Sequence, residues 1–226
     1  MCIRDRLHDY CSQIRFLIPH YCESAGTIAI LSADEIIAGP IAIFSPIDPI
    51  LSASGAEEGP TAMSVQDLRL FSRMSQDWFG LADKEAAKHA LNTLCENIFP
   101  STLTSFHRCA QELEHICGQL LRFPFPDDSK KRHDITQQLI YGYHSHSYAI
   151  SREELAELGL PIRKPDSELE KLMWSLGQRL RQQLGAGNRA NETDHWHDAL
   201  ILNAQGGLVQ QRSLAQGSRW LSWEQL

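Results

Sequence analysis

Ser24 stands where a hydroxyl could become reactive. A short apolar run, Ile14–Ile18, leads through Pro19-His20-Tyr21-Cys22-Glu23 into the small residues Ser24-Ala25-Gly26-Thr27, and the apolar stretch Ile28–Leu31 follows. This order reads as strand, tight turn, helix, a geometry that projects a serine hydroxyl from the end of the strand. The amides after the serine, beginning with Ala25, gain the partial positive charge of a helix N-terminus and can stabilise an oxyanion. Gly26 joins Ala25 as an oxyanion candidate and would let a substrate backbone approach closely. Small residues at such a turn serve close helix–strand packing equally well, so the four residues alone leave both roles open.

A serine hydroxyl is a weak nucleophile until a base takes its proton. His146 is one candidate for that base. It lies with His144 in a period-two stretch, 144–150, which would put both rings on one strand face. Its ordinary role would be a hydrogen bond to backbone near the core. Lys84 and Lys88 are the alternative bases, although their neighbours Asp83 and Glu85 suit a solvated helix face. His195-Trp196-His197, between Asp194 and Asp198, invites a metal reading, but no third ligand stands at a fixed spacing. The six cysteines form no CxxC pair and read as reduced thiols in a cytoplasmic protein. No metal and no cofactor are expected.

The elements that must position these residues follow from the pattern. Glu35–Ala38 and Ile41–Phe44 read as two further short buried strands, and Ser45-Pro46-Ile47-Asp48-Pro49 as a rigid loop, since proline fixes φ and removes a donor. Ser52–Thr61 reads as a loop. From Val65 the pattern turns helical: Ser64 is a candidate N-cap, and Leu68, Phe71, Met74 and Trp78 recur at helical spacing. Ala86–Ile98 continues it, Pro100 breaks it, and Ser101 is placed to cap a helix running to Leu121. A helix over Ile135–Gly142 precedes the 144–150 stretch, and Ser151-Arg152-Glu153-Glu154 has the form of a capping box. Ser167–Leu184 is amphipathic, Gly185–Glu192 reads as a linker, and Ala199–Asn203 with Leu208–Arg212 as a terminal hairpin.

Composition narrows the function classes. The net charge of −7 and the lack of a Lys/Arg block argue against nucleic acid. Apolar residues at 42% are enough for a core. The longest apolar stretch, Ala25–Phe44, is interrupted by Asp34, Glu35 and Pro40, so it does not span a bilayer. Met1–Arg6 (MCIRDR) lacks the apolar core of a signal peptide and resembles a translated adapter scar, which predicts a native chain beginning further upstream.

The stretch IRFLIPHYCESAGTIAILSADEIIAGPIAIFSPIDPILS resembles the nucleophile region of the serine dehydrogenase proteinase family, a branch of the ClpP/SppA-like peptidases. That family carries a strand, a Ser-Ala-Gly-Thr turn, an A-x-E-I-V-M strand and a G-P-x-D loop. The last two appear here as Ala33-Asp34-Glu35-Ile36-Ile37 and Ser45-Pro46-Ile47-Asp48, with Ser45 replacing the usual glycine. The block Tyr141–Glu154 resembles the family's Y-P-S-H-x-F-x-I-x-x-x-E segment, so the likeness covers 14–173.

The resemblance implies an α/β fold of ClpP/crotonase type, with short parallel strands of a spiral ββα core, incomplete at the N-terminus, and a long helical insert at 64–141. The domain would span 7–184, with 1–6 as scar and 185–226 as linker and hairpin. It implies a serine-type endopeptidase in which Ser24 attacks a peptide carbonyl, His146 or a lysine accepts the proton, and the Ala25 amide binds the oxyanion. The ClpP loop matching Ser45–Pro49 carries the catalytic histidine; this one has none, and Asp48 is expected to order the loop. A second oxyanion amide would come from a glycine-rich turn upstream, and no glycine precedes Ser24. The fragment could therefore be inactive. The alternatives are a non-catalytic assembly module and a crotonase-type acyl-CoA enzyme. Relatives of this fold imply a homo-oligomer joined through the helices, peptide or protein substrates, and membrane association through an upstream segment alone.

Overall fold

The computed structural model describes residues 10–53, 61–80 and 84–222. The scar assigned to 1–6, the middle of the loop predicted over Ser52–Thr61, and Asp83 lie outside the described residues. The chain divides into two units, Met1–Lys164 and Pro165–Leu226, with the amphipathic helix in the second.

The first unit is mixed α/β with parallel strand pairing. The apolar run forms β1, Arg15–Ile18, and is followed by β2, Tyr21–Cys22, then α1, Ala25–Ile30, then β3, Glu35–Ala38, and β4, Ile43–Phe44. β1 and β3 are parallel, from Arg15↔Glu35 to Ile18↔Ala38, and β3 pairs on its other side with β8, Ile162–Arg163. β3 is apolar along its buried length because both its faces are covered, with Ile36 and Ala38 fully buried. Glu35 at its start takes ion pairs from Arg15 at 3.1 Å and Arg163 at 2.6 Å, tying the three strands at one end.

A second sheet carries the turn of interest. β2 and β4 are parallel (Tyr21↔Ile43, Cys22↔Phe44), and β7, Ile150–Ser151, runs antiparallel to β4 (Phe44↔Ile150). Arg152 links the sheets by donating to the Ala38 carbonyl at 2.9 Å. The ends of the predicted Ser52–Thr61 loop are strand instead: β5, Ile50–Ala53, and β6, Thr61–Ser64, pair as a hairpin, which gives the backbone groups on either side of the connection partners.

Among the described residues the rest of this unit holds five helices: α2 (Val65–Phe79), α3 (Lys84–Asn97), α4 (Pro100–Leu120), α5 (Ser129–Tyr141) and α6 (Arg152–Glu157). Ser64 caps α2, its hydroxyl oxygen accepting from Gln66 N at 2.9 Å and Asp67 N at 3.3 Å. That hydroxyl donates to the buried Asp48 at 2.5 Å, which anchors the Pro46–Pro49 loop to the helix start. Pro100 opens α4 rather than preceding it, because its missing N–H is no loss in a first turn; Ser101 is therefore inside the helix and does not cap it. α5 begins earlier than predicted, capped by Asp128, which accepts from Lys131 N at 2.8 Å. α4 and α5 close the core over the strands, with Leu121, Ile135 and Leu139 buried in one cluster with Ile36, Phe44 and Ile150.

The stretch 144–150 departs from its predicted strand. Only Ile150 and Ser151 pair; His144–Ala149 is turn and irregular backbone, with Tyr148 N bonded to Ser145 O at 3.1 Å. Local serine bonds satisfy the backbone there, and the tyrosine and histidine rings are not alternately buried as a sheet would require. Ser151 accepts from Glu154 N at 3.1 Å, while the Glu154 carboxylate turns to the Tyr143 hydroxyl at 2.9 Å, so half of the capping box forms.

The second unit holds α7, Ser167–Gln183, capped by Asp166, and a three-stranded antiparallel meander: β9, His195–Asn203, β10, Gly206–Ser213, and β11, Gly217–Ser222. The predicted hairpin is thus part of a longer sheet. The predicted linker after α7 is tied to β9, with Gly185 N bonded to His197 O at 2.7 Å and His197 N to Ala186 O at 3.1 Å.

Candidate active site

Ser24 occupies the corner between β2 and α1 with φ 50° and ψ −107°. It is the one non-glycine residue with positive φ among the described residues. An L-residue in such a conformation costs about 1–3 kcal/mol and persists only where its surroundings hold it. A strained strand-to-helix serine of this kind is how a nucleophile elbow exposes its Oγ. The Ser24 hydroxyl does not cap its own helix and is left for other chemistry.

A buried hydroxyl network holds the corner. The Ser24 amide donates to Ser45 Oγ at 2.7 Å, and the Ser45 hydroxyl donates to the Pro46 carbonyl at 3.2 Å. The Ser45 amide reaches Thr27 Oγ1 at 3.4 Å, and the Thr27 hydroxyl donates to the Cys22 carbonyl at 2.9 Å. Thr27 is fully buried and Ser45 nearly so. The ends of β2 and β4 and the first turn of α1 are thereby joined through side-chain oxygens.

The oxyanion candidates differ. Gly26 N donates to the Glu23 carbonyl at 2.8 Å and is occupied by the turn itself, while the Ala25 amide has no acceptor among the described residues. Such an unpaired N–H at a helix start is the natural donor for developing negative charge. Gly26 serves packing: a Cβ there would lie 3.1 Å from Cys22 Sγ. Burial, then the charge of Glu23, pushes the Cys22 thiol up to about 12, so it stays protonated beside the serine.

The second sheet decides what else lies near. Because β2 and β4 are parallel and β7 antiparallel, the ends of β2 and β4 and the beginning of β7 share one edge. Ser24 follows β2, Ser45 follows β4, and the segment with His146 precedes β7. Adjacent strands are about 4.8 Å apart, so β2 and β7 are separated by roughly 10 Å. His146 is half-buried in its turn; its Nδ1 is shielded from solvent without a partner, and no hydrogen bond joins it to Ser24. His144 is exposed, so the two histidines do not share a buried face. Lys84 and Lys88 are exposed on α3.

His195 and His197 lie on β9 with ring centroids 6.2 Å apart. Asp198 accepts from Trp196 Nε1 at 2.7 Å and pairs with Arg212 at 2.6 Å, and no group of three metal-binding side chains occurs among the described residues.

Residues 1–101 match the ClpP-like SDH-type serine proteinase family. The matched span contains the whole Ser24 network and both lysines, and it ends before His146. Two uncharacterized proteins of Methanocaldococcus jannaschii are also similar. One is 27% identical over 76% of this chain and 51% of its own length; the other is 24% identical over 80% and 51%. The chain therefore spans about half the length of these curated relatives. No solved structure matches. None of the described helices is long and apolar enough to cross a membrane.

Sequence reasoning singled out Ser24 and Ala25 and gave no supporting role to the side chains of Ser45 and Thr27. The available signal was the placement of hydroxyl residues where β4 ends and α1 begins, next to a serine whose turn needs support.

Proposed function

We propose that this chain carries the nucleophile region of a serine peptidase of Clp type, built on a ClpP/crotonase-like core and acting on peptide substrates in the cytoplasm. One observation carries the reading: Ser24 is held at positive φ on a strand-to-helix corner, beside an Ala25 amide with no acceptor. In the acylation step Ser24 Oγ bonds to the substrate carbonyl carbon while its proton passes to the His146 imidazole. The carbonyl oxygen becomes an oxyanion facing the Ala25 N–H. The C–N bond then breaks, the leaving amine takes the proton from His146, and an acyl-Ser24 ester remains. Water attacks that ester by the same route and releases Ser24. Lys84 and Lys88 remain the alternative bases.

Self-association through the helices suits the same reading. Trp78, Phe79, Leu91 and Phe99 are exposed on or beside α2, α3 and α4, a cost that a second copy would relieve.

A fluorophosphonate probe tests the mechanism directly. Full-length protein containing this chain should be labelled and Ser24→Ala should not. Loss of labelling in His146→Ala as well assigns the base, and retention there moves it to Lys84 or Lys88. A wild type that takes no label favours a non-catalytic assembly module. Acyl-CoA turnover that survives Ser24→Ala would instead indicate crotonase-type chemistry, in which backbone amides act without a serine nucleophile.

A further inference from the structure

We infer that Ser45 is a positioning residue for the Ser24 nucleophile, doing through its side chain what the turn's own backbone does not do. The inference rests on the reading of Ser24 given above.

The Ser24 amide points back into the protein, and its acceptor is the Ser45 hydroxyl at 2.7 Å. That hydroxyl is fixed in turn, since its proton goes to the Pro46 carbonyl at 3.2 Å and the Ser45 backbone is held by Thr27. A hydroxyl whose proton is already engaged presents a lone pair in one direction, which suits it to receive an N–H. Ser45 is 4% exposed, so water does not stand in for it readily.

Two consequences follow for the chemistry. First, the φ of 50° at Ser24 depends on where its N–H is tethered. Without the acceptor the corner can relax toward ordinary backbone and swing Oγ away from its attack position. Second, with its own amide held by Ser45, Ser24 contributes no donor to an oxyanion, and that task falls to Ala25.

The test compares wild type, Ser45→Ala and Ser45→Cys in the full-length protein that contains this chain. Two quantities are read: the saturating rate constant for fluorophosphonate labelling of Ser24, and hydrogen exchange at the Ser24 amide. Ser45→Ala should slow labelling at least about tenfold, since small misplacements of a reacting group cost up to about a hundredfold. The fraction labelled at the end point should stay unchanged, whereas partial misfolding would lower that fraction and leave the rate constant alone. Exchange at the Ser24 amide should quicken about tenfold or more. Ser45→Cys, of similar size with a weaker acceptor, should fall between the two, and it decides the matter if Ser45→Ala does not fold. Unchanged exchange overturns the hydrogen bond, and faster exchange with unchanged labelling overturns the positioning role. If the wild type takes no label, the nucleophile reading fails by itself. Faster exchange in Ser45→Ala would then show a brace on a turn that does no chemistry, and the positioning role falls too.

Discussion

The two turns that share one edge of the second sheet are built in opposite ways. At Ser24 three polar groups around the corner are matched across the turn: the amide by Ser45, the Ser45 backbone by Thr27, the Thr27 hydroxyl by the Cys22 carbonyl. At His144–Ala149 the bonds are local and exposed, and the His146 Nδ1 is out of water without a partner. That second turn is nonetheless anchored at its base. Gln66 donates to the Tyr143 carbonyl at 2.7 Å, and the Tyr143 and Tyr148 rings stack with centroids 4.9 Å apart. The serine corner is tied by side-chain hydrogen bonds, and His146 Nδ1 takes none. Under the proposed mechanism the two side chains, which share no hydrogen bond here, would have to come together when substrate binds.

The largest effect should separate the turns by what each loses. His146→Ala should slow labelling by about a hundredfold or more, the usual worth of a general base, with an unchanged melting temperature. A melting temperature that drops with it would give His146 a structural role and remove the contrast. Thr27→Val should do the reverse in the first instance. It strands the Cys22 carbonyl and the Ser45 amide in the interior, at a cost of about 1–3 kcal/mol in denaturant unfolding. Full stability in that variant would mean the network is not holding the corner.

The smallest effect concerns charge on the histidine side. Arg152, then Lys164, hydrogen-bond the Glu153 carboxylate and hold it down at about 2, below its ordinary 4.5. A depressed carboxyl stabilises the fold above its unfolded value and stops doing so as pH falls through its folded one. The contribution is therefore present above about pH 4.5 and fades toward pH 2. Glu153→Gln should flatten the stability profile in that window alone. Because the Glu153 carboxylate is solvent-exposed, the change should be slight and should shrink further in salt.

Short apolar runs and glycine or proline punctuation made β1, β3 and β4 legible in the sequence, and Ser64 was legible as a cap because its side chain acts within its own chain neighbourhood. The segment 144–150 was misread for a physical reason. Alternating Tyr, His and Ser satisfy a period-two template, yet serine can close turns on its own backbone, and the sequence does not say which competitor wins. Ser45 illustrates the harder limit. Its role depends on a contact across 21 positions, set by the register of β2 against β4, and nothing local to Ser45 encodes that register.

The positive φ at Ser24 also sets stability against activity. Glycine adopts that backbone conformation without the steric penalty of a Cβ, so Ser24→Gly should raise the melting temperature while emptying the site. A stability screen of random variants, blind to activity, would be drawn to this codon, and the gain it found there would mark how much folding energy the chain forgoes to keep a hydroxyl at the corner.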